Sequence, residues 1–123
     1  MHAALNSRLW TLVVVIFHAA AAFLEIRMWE YTSGKLVGFD LELAQDTWML
    51  GFNQGVYNAF IAVGLALTFT ALFRGGARPV RAYLLLCVVV AGVLGAWSLG
   101  YPLLAVMQAG PALIALIGMF FGR

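Results

Sequence analysis

The chain has 123 residues, of which 64% are hydrophobic and only 10% are charged, and its mean hydropathy is +0.97. A soluble domain is about half apolar and about a quarter charged, so this composition excludes a water-soluble monomer and predicts a small integral membrane protein. The formal net charge is +2. The basic residues are scattered singly and do not form a basic stripe, so we expect no nucleic-acid partner.

The first two apolar runs each have the length of a membrane span. Residues 9–29 are uncharged except near their end, and residues 47–73 contain no charged side chain. About 20 apolar residues suffice to cross the hydrocarbon core, so both runs are predicted to span the membrane. A cleavable signal peptide is the competing interpretation of the first run, and we favour a span because further membrane segments follow it.

The last third of the chain is predicted to form two more spans. No charged residue lies between Arg81 and Arg123, and as one helix this stretch would be about 60 Å long, twice the hydrocarbon thickness. We expect it to fold back at the Gly-Tyr-Pro sequence of residues 100–102, with spans at 82–99 and 102–121. The predicted fold class is therefore all-α, a single domain forming a four-transmembrane-helix bundle.

The charged residues between the spans predict the orientation of the bundle. Arg74, Arg78 and Arg81 crowd the loop between spans two and three, whereas the loop after span one carries most of the acidic residues. By the positive-inside rule, both termini and the arginine loop face the cytoplasm, an N-in/C-in arrangement. We expect a multi-pass protein of the cell inner (plasma) membrane.

Two residues predict where helices begin. The carboxylate of Asp40 is expected to cap a short helix over residues 41–46 by accepting backbone N–H groups. Pro102 is expected in the first turn of span four, where the N–H that proline lacks has no intrahelical partner.

Polar side chains inside the spans are the candidate site residues, because a polar group in hydrocarbon is costly. Hydrogen bonding between helices is the alternative role. At a rise of about 1.5 Å per residue, these side chains converge on one layer in the outer half of the bundle. The candidates are a catalytic residue, Glu25, and seven ligand-binding residues, His18, Asn53, Gln54, Tyr57, Asn58, Trp97 and Gln108.

Glu25 is the strongest candidate of this group. Poor hydration disfavours a charged carboxylate, which would allow Glu25 to take up and release a proton near neutral pH. The alternative is an interfacial carboxylate paired with Arg27 or with amides of span two. His18 lies seven residues earlier, on nearly the same helix face. Because His18 is the only histidine inside a span and metal sites need several such ligands, we expect no metal and no cofactor.

Four segments of the chain resemble one known family. They are LEIRMW at 24–29, FNQGVYNAFIAVGL at 52–65, CVVVAGVLGA at 87–96 and MQAGPALIAL at 107–116. The resemblance is to the small integral membrane proteins of domain-of-unknown-function family 1304, and it implies four helices and a membrane location without supplying an activity. It places residues of this chain on the family's motifs, namely Glu25, Asn53, Gln54, Tyr57, Asn58, Gln108 and Pro111.

Three functions remain open from the sequence. The first is binding of a small molecule in a polar pocket of the outer half, with proton-coupled binding or transport of that ligand. The second is an acid–base isomerase or epimerase of a lipophilic substrate, with Glu25 as the general acid or base. The third is a structural or partner-binding bundle. The expected partners are the lipid bilayer and a lipophilic or small-molecule ligand, and the sequence leaves open whether the chain forms a homo-oligomer.

Overall fold

The described part of the protein is built from helices. The structure is a computed structural model, and it describes residues 6–121. The α-helices are α1 (Ser7–Arg27), α2 (Trp29–Leu36), α3 (Leu41–Asp46), α4 (Trp48–Leu67), α5 (Ala77–Leu99) and α6 (Pro102–Phe121), and a short 3-10 helix (Ala71–Phe73) precedes α5. Four of them, α1, α4, α5 and α6, have 20 to 23 residues and are apolar enough to span a membrane. The predicted all-α fold with four transmembrane helices is confirmed.

Helices α1 and α6 lie in the middle of the bundle. Helix α1 packs against both α4 and α6, and α5 packs against α6, whereas α4 and α5 make few contacts with each other. Small residues lie at two of these interfaces, with Gly55 of α4 next to Ala22 of α1 and Gly92 of α5 next to Ala109 of α6. Lipid tails are as apolar as the helix surfaces, so close approach at small residues supplies much of the attraction between membrane helices.

The hydrophobic core lies toward the end of the bundle at which α1 and α5 begin and α4 and α6 end. All four long helices contribute to it, through Val14, Leu65, Leu85, Val88, Ala112 and Ala115. We call this end the basic end, because Arg8, Arg74, Arg78 and Arg81 lie there. The opposite end, where α1 reaches Glu25, is the glutamate end.

Both predicted helix starts are confirmed. The Oδ1 atom of Asp40 accepts a hydrogen bond from the N–H of Leu43 at 2.9 Å, at the start of α3. Pro102 is the first residue of α6. The preceding turn depends on Gly100, whose φ of 63° lies in the left-handed region that glycine adopts without steric cost.

The helix boundaries differ from the predicted spans at three places. The run 9–29 divides between α1 and α2, because the backbone of Met28 leaves the helical conformation with a φ of −135°. The run 47–73 ends early, with α4 finishing at Leu67, because Thr68 turns its hydroxyl back onto the carbonyl of Leu65 at 2.6 Å. Helix α5 begins at Ala77 rather than at residue 82, so that two arginines lie within its first two turns.

Candidate functional site

A hydrogen bond between Glu25 and Asn58 joins α1 to α4 near the glutamate end. The Nδ2 atom of Asn58 donates to the Oε2 atom of Glu25 at 2.6 Å, and both side chains are half-buried. A carboxylate can accept about four hydrogen bonds, and this is the one that Glu25 receives from the described residues. Of the two partners considered for Glu25 above, the structure places an amide of α4 beside it, while Arg27 is exposed.

Gly55 allows the two side chains to meet. A Cβ atom at this position would lie 2.6 Å from Cγ1 of Ile26, 3.0 Å from the carbonyl oxygen of Ala22 and 3.2 Å from Cβ of Glu25. Because no side chain intervenes, α4 lies directly against the turn of α1 that carries Glu25. Asn58 follows Gly55 by about one helical turn and is therefore held within reach of the carboxylate.

His18 is buried on the same face of α1 as Glu25, as the spacing of seven residues predicts. Its side chain is 1% exposed, and its Nδ1 atom lies 2.9 Å from the carbonyl oxygen of Val14. A carbonyl oxygen only accepts hydrogen bonds, so Nδ1 carries the proton and Nε2 remains available as an acceptor in the neutral ring. Seven residues place His18 about 10 Å from Glu25 along the helix, and the two side chains do not touch.

The remaining predicted ligand-binding residues form no side-chain hydrogen bonds with the described part of the chain. Gln108 is half-buried on α6. It packs close to α5, since a Cβ atom added at Gly92 would lie 3.3 Å from the Cβ atom of Gln108. The other four are exposed, namely Asn53, Gln54, Tyr57 and Trp97. The exposed fraction is 57% for Tyr57 and 81% for Trp97. Ligand binding by these residues stays a prediction.

Helices α4 and α5 approach each other toward the basic end. There, Gly64 lies next to Leu84, and Arg81 donates two hydrogen bonds of 3.0 Å to Thr68. Gly64 and Thr68 follow Asn58 by six and ten residues, which is about 9 and 15 Å along the helix. The contacts that tie α5 to α4 therefore lie closer to the basic end than Asn58 does.

Among residues 6–121, no group of three or more His, Cys, Asp and Glu side chains is arranged to hold a metal ion. In the described region, the chemistry available at Glu25 and Asn58 is that of a carboxylate next to an amide: accepting hydrogen bonds, pairing with a cation, and holding a proton. The acid–base isomerase and the partner-binding bundle stay predictions.

A second group of polar residues, at the basic end, was not predicted as a site. It consists of Ser7, Arg8, Thr68, Arg78 and Arg81, which line one cavity. The sequence signal that could have indicated it is the absence of acidic side chains after Asp46, in the part of the chain that carries Arg74, Arg78 and Arg81.

A comparison with known protein families confirms the family resemblance that the sequence motifs indicate. The model of the family described as "Protein of unknown function (DUF1304)" matches residues 12–120. The chain belongs to this family. The match extends from α1 to α6 and includes both Glu25 and Asn58, so the hydrogen-bonded pair lies inside the DUF1304 region. No curated protein and no solved structure matches this DUF1304 chain.

Proposed function

We propose that this multi-pass DUF1304 protein binds a small lipophilic molecule that carries a hydrogen-bond donor, such as an amine or a hydroxyl group, at the Glu25–Asn58 pair. The observation that carries the proposal is the 2.6 Å hydrogen bond between these half-buried side chains on two transmembrane helices. An acidic side chain in a membrane helix is expensive to keep, and such residues mark substrate and ion pathways.

The unused hydrogen-bonding capacity of the pair indicates the class of ligand. With Asn58 donating to Oε2, the other carboxylate oxygen of Glu25 and the amide oxygen of Asn58 remain as acceptors. Unpaired acceptors in a poorly hydrated place cost free energy, and a ligand that brings N–H or O–H groups would satisfy both. An amine adds the attraction between its positive charge and the carboxylate.

The packing of the helices supports entry of the ligand from the side. Few contacts join α4 to α5. We propose that a lipophilic ligand enters from the bilayer between these two helices. We propose that the Glu25 carboxyl group holds a proton before the ligand binds. Binding of an amine cation would transfer this proton to water and leave the carboxylate paired with the amine, which would couple ligand binding to proton release.

Binding of tritiated n-decylamine to the purified protein in a neutral detergent tests the proposal. Excess unlabelled amine separates saturable binding from partition into micelles. Losing a hydrogen bond to a charged group costs about 1.5–3 kcal/mol, so Glu25→Gln should weaken saturable binding at least about tenfold. Glu42→Gln and Gln45→Ala change exposed residues of α3 and serve as matched controls that should bind as the wild type does.

Two results would count against the proposal. One is saturable binding of n-decylamine by the Glu25→Gln variant at wild-type affinity, and the other is equal binding of n-decylamine and decanoate. Proton coupling is measured separately, with a pH-sensitive dye in weak buffer. Release of about one proton for each bound amine supports the coupling, whereas saturable binding without release rejects it and leaves the binding site in place.

A further inference from the structure

The cavity at the basic end of the bundle carries an inference independent of Glu25. It has a volume of about 450 Å³ and lies where α1 begins, α4 ends, α5 begins and α6 ends. Sites for small molecules commonly have volumes of about 300–1,000 Å³. The polar residues that line it are Ser7, Arg8, Thr68, Arg78 and Arg81.

Among residues 6–121, no acidic side chain is a partner for the positive charge around this cavity. Three guanidinium groups line it, and none of its described lining residues is acidic. All five acidic residues of the protein lie between positions 25 and 46, at or near the glutamate end. Arg8 and Arg81 line the same cavity, so their like charges repel each other. An anion placed between them would relieve this repulsion.

Two of the arginines are held in place while keeping donors free. Arg81 donates to the side-chain and backbone oxygens of Thr68, and its guanidinium carbon lies 4.2 Å from the ring centre of Phe69. Arg78 donates to the carbonyl oxygen of Met119 at 2.6 Å. A guanidinium has five N–H donors, so three on Arg81 and four on Arg78 are not used by these contacts.

Ser7 provides the observation that points to a ligand most directly. Its Oγ atom is buried and has no hydrogen-bond partner within residues 6–121, although the residue lines the cavity. A buried hydroxyl without a partner is costly, and buried polar groups nearly always have one. An acceptor oxygen in the cavity would satisfy the hydroxyl.

We propose that this cavity binds the phosphate group of an anionic phospholipid. Guanidinium groups match the geometry of phosphate oxygens and can bind them through two parallel hydrogen bonds. Basic pockets between transmembrane helices, at the level of the lipid headgroups, are suited to such lipids. The chemistry of the cavity recognises a phosphate oxygen anion, which can come from a lipid headgroup or from free phosphate, and the position at the helix ends favours the lipid.

Native mass spectrometry of the protein released from neutral detergent, with added phosphatidylglycerol or phosphatidylcholine, tests this proposal. Phosphatidylglycerol should give the stronger bound signal. Arg8→Gln should weaken its binding about tenfold, because one charge-assisted contact is lost. Ser7→Ala should weaken it about fivefold, as expected for one hydrogen bond. Neither side chain ties two helices together in the described structure, so both variants should fold.

Arg74→Gln is the matched control, because Arg74 is an exposed arginine at the same end that does not line the cavity. Its binding of phosphatidylglycerol should stay within about twofold of wild type, as expected of a surface substitution. Displacement of the lipid by millimolar inorganic phosphate would assign the site to free phosphate, and lack of displacement would assign it to the lipid headgroup. Equal binding of the two lipids, or equal weakening by Arg8→Gln and Arg74→Gln, would overturn the proposal.

Discussion

The substitution Gly55→Ala tests whether close approach of α4 to α1 holds the Glu25–Asn58 pair together. A Cβ atom at this position would lie 2.6 Å from Cγ1 of Ile26 and 3.0 Å from the carbonyl oxygen of Ala22. Ordinary van der Waals contact begins at 3.4 Å, so these distances are short by 0.8 and 0.4 Å. The carbonyl oxygen belongs to the backbone and cannot rotate away, so we expect the helices to move apart.

The size of the effect follows from two opposing terms. Inserting a methyl group into a packed interface costs about 1–3 kcal/mol. Replacing glycine by alanine inside a helix stabilises the helix by about 1 kcal/mol. Gly95→Ala on α5 should gain the helix stabilisation without the packing cost, because its Cβ would lie 3.6 Å from the nearest atom, Cδ2 of Leu104. Gly55→Ala should therefore be less stable than Gly95→Ala by about 1–3 kcal/mol.

Titration with sodium dodecyl sulfate in mixed micelles, followed by circular dichroism, measures the free energy of unfolding of both variants. Saturable n-decylamine binding should also fall in Gly55→Ala, because separating the helices breaks the contact between Asn58 and Glu25. If Gly55→Ala is as stable as Gly95→Ala and binds the amine at wild-type affinity, the reasoning from close packing is refuted.

Two further substitutions test the packing at either end of the bundle. A Cβ atom at Gly51 would overlap the indole ring of Trp29, so Gly51→Ala should shift the indole N–H resonance of Trp29 in an NMR spectrum. Gly34→Ala is the control and should leave this resonance in place, because its Cβ would lie 3.6 Å from the nearest atom, the carbonyl oxygen of Phe39. At the basic end, Leu85→Ala should cost about 2–5 kcal/mol because this side chain is fully buried. Leu86→Ala, at a site 54% exposed, should cost less than about 0.5 kcal/mol in the same titration, and equal losses would contradict the assigned core.

The number and type of the long helices could be predicted from the sequence because they depend on hydrophobic length and on strong local signals. The uncharged runs have the length of a bilayer crossing, and Pro102 and Asp40 each act on the backbone next to them. The end of α4 could not be predicted in this way. It depends on Thr68, whose hydroxyl bonds to Leu65 and whose oxygens bind Arg81 of α5, and such a contact between distant residues has no local signature.

The candidate site was predictable in part for the same reason. The face shared by His18 and Glu25 follows from helix periodicity, and the burial of His18 agrees with it. Periodicity does not say which amide of α4 meets Glu25, because that choice depends on how α4 lies against α1 at Gly55. The buried hydroxyl of Ser7 was missed because a serine at the start of a span is an ordinary residue until the four helix ends are brought together around it.

The most direct test of the ligand site is the ¹³C NMR signal of the Glu25 carboxyl group. The chain contains three glutamates, Glu25, Glu30 and Glu42, so labelling all glutamate Cδ atoms gives three signals, and Glu25→Gln identifies one of them. On addition of n-decylamine, the account predicts a saturable shift of the Glu25 signal while those of the exposed Glu30 and Glu42 stay in place. Saturable amine binding with an unmoved Glu25 signal, or a common shift of all three, would contradict it.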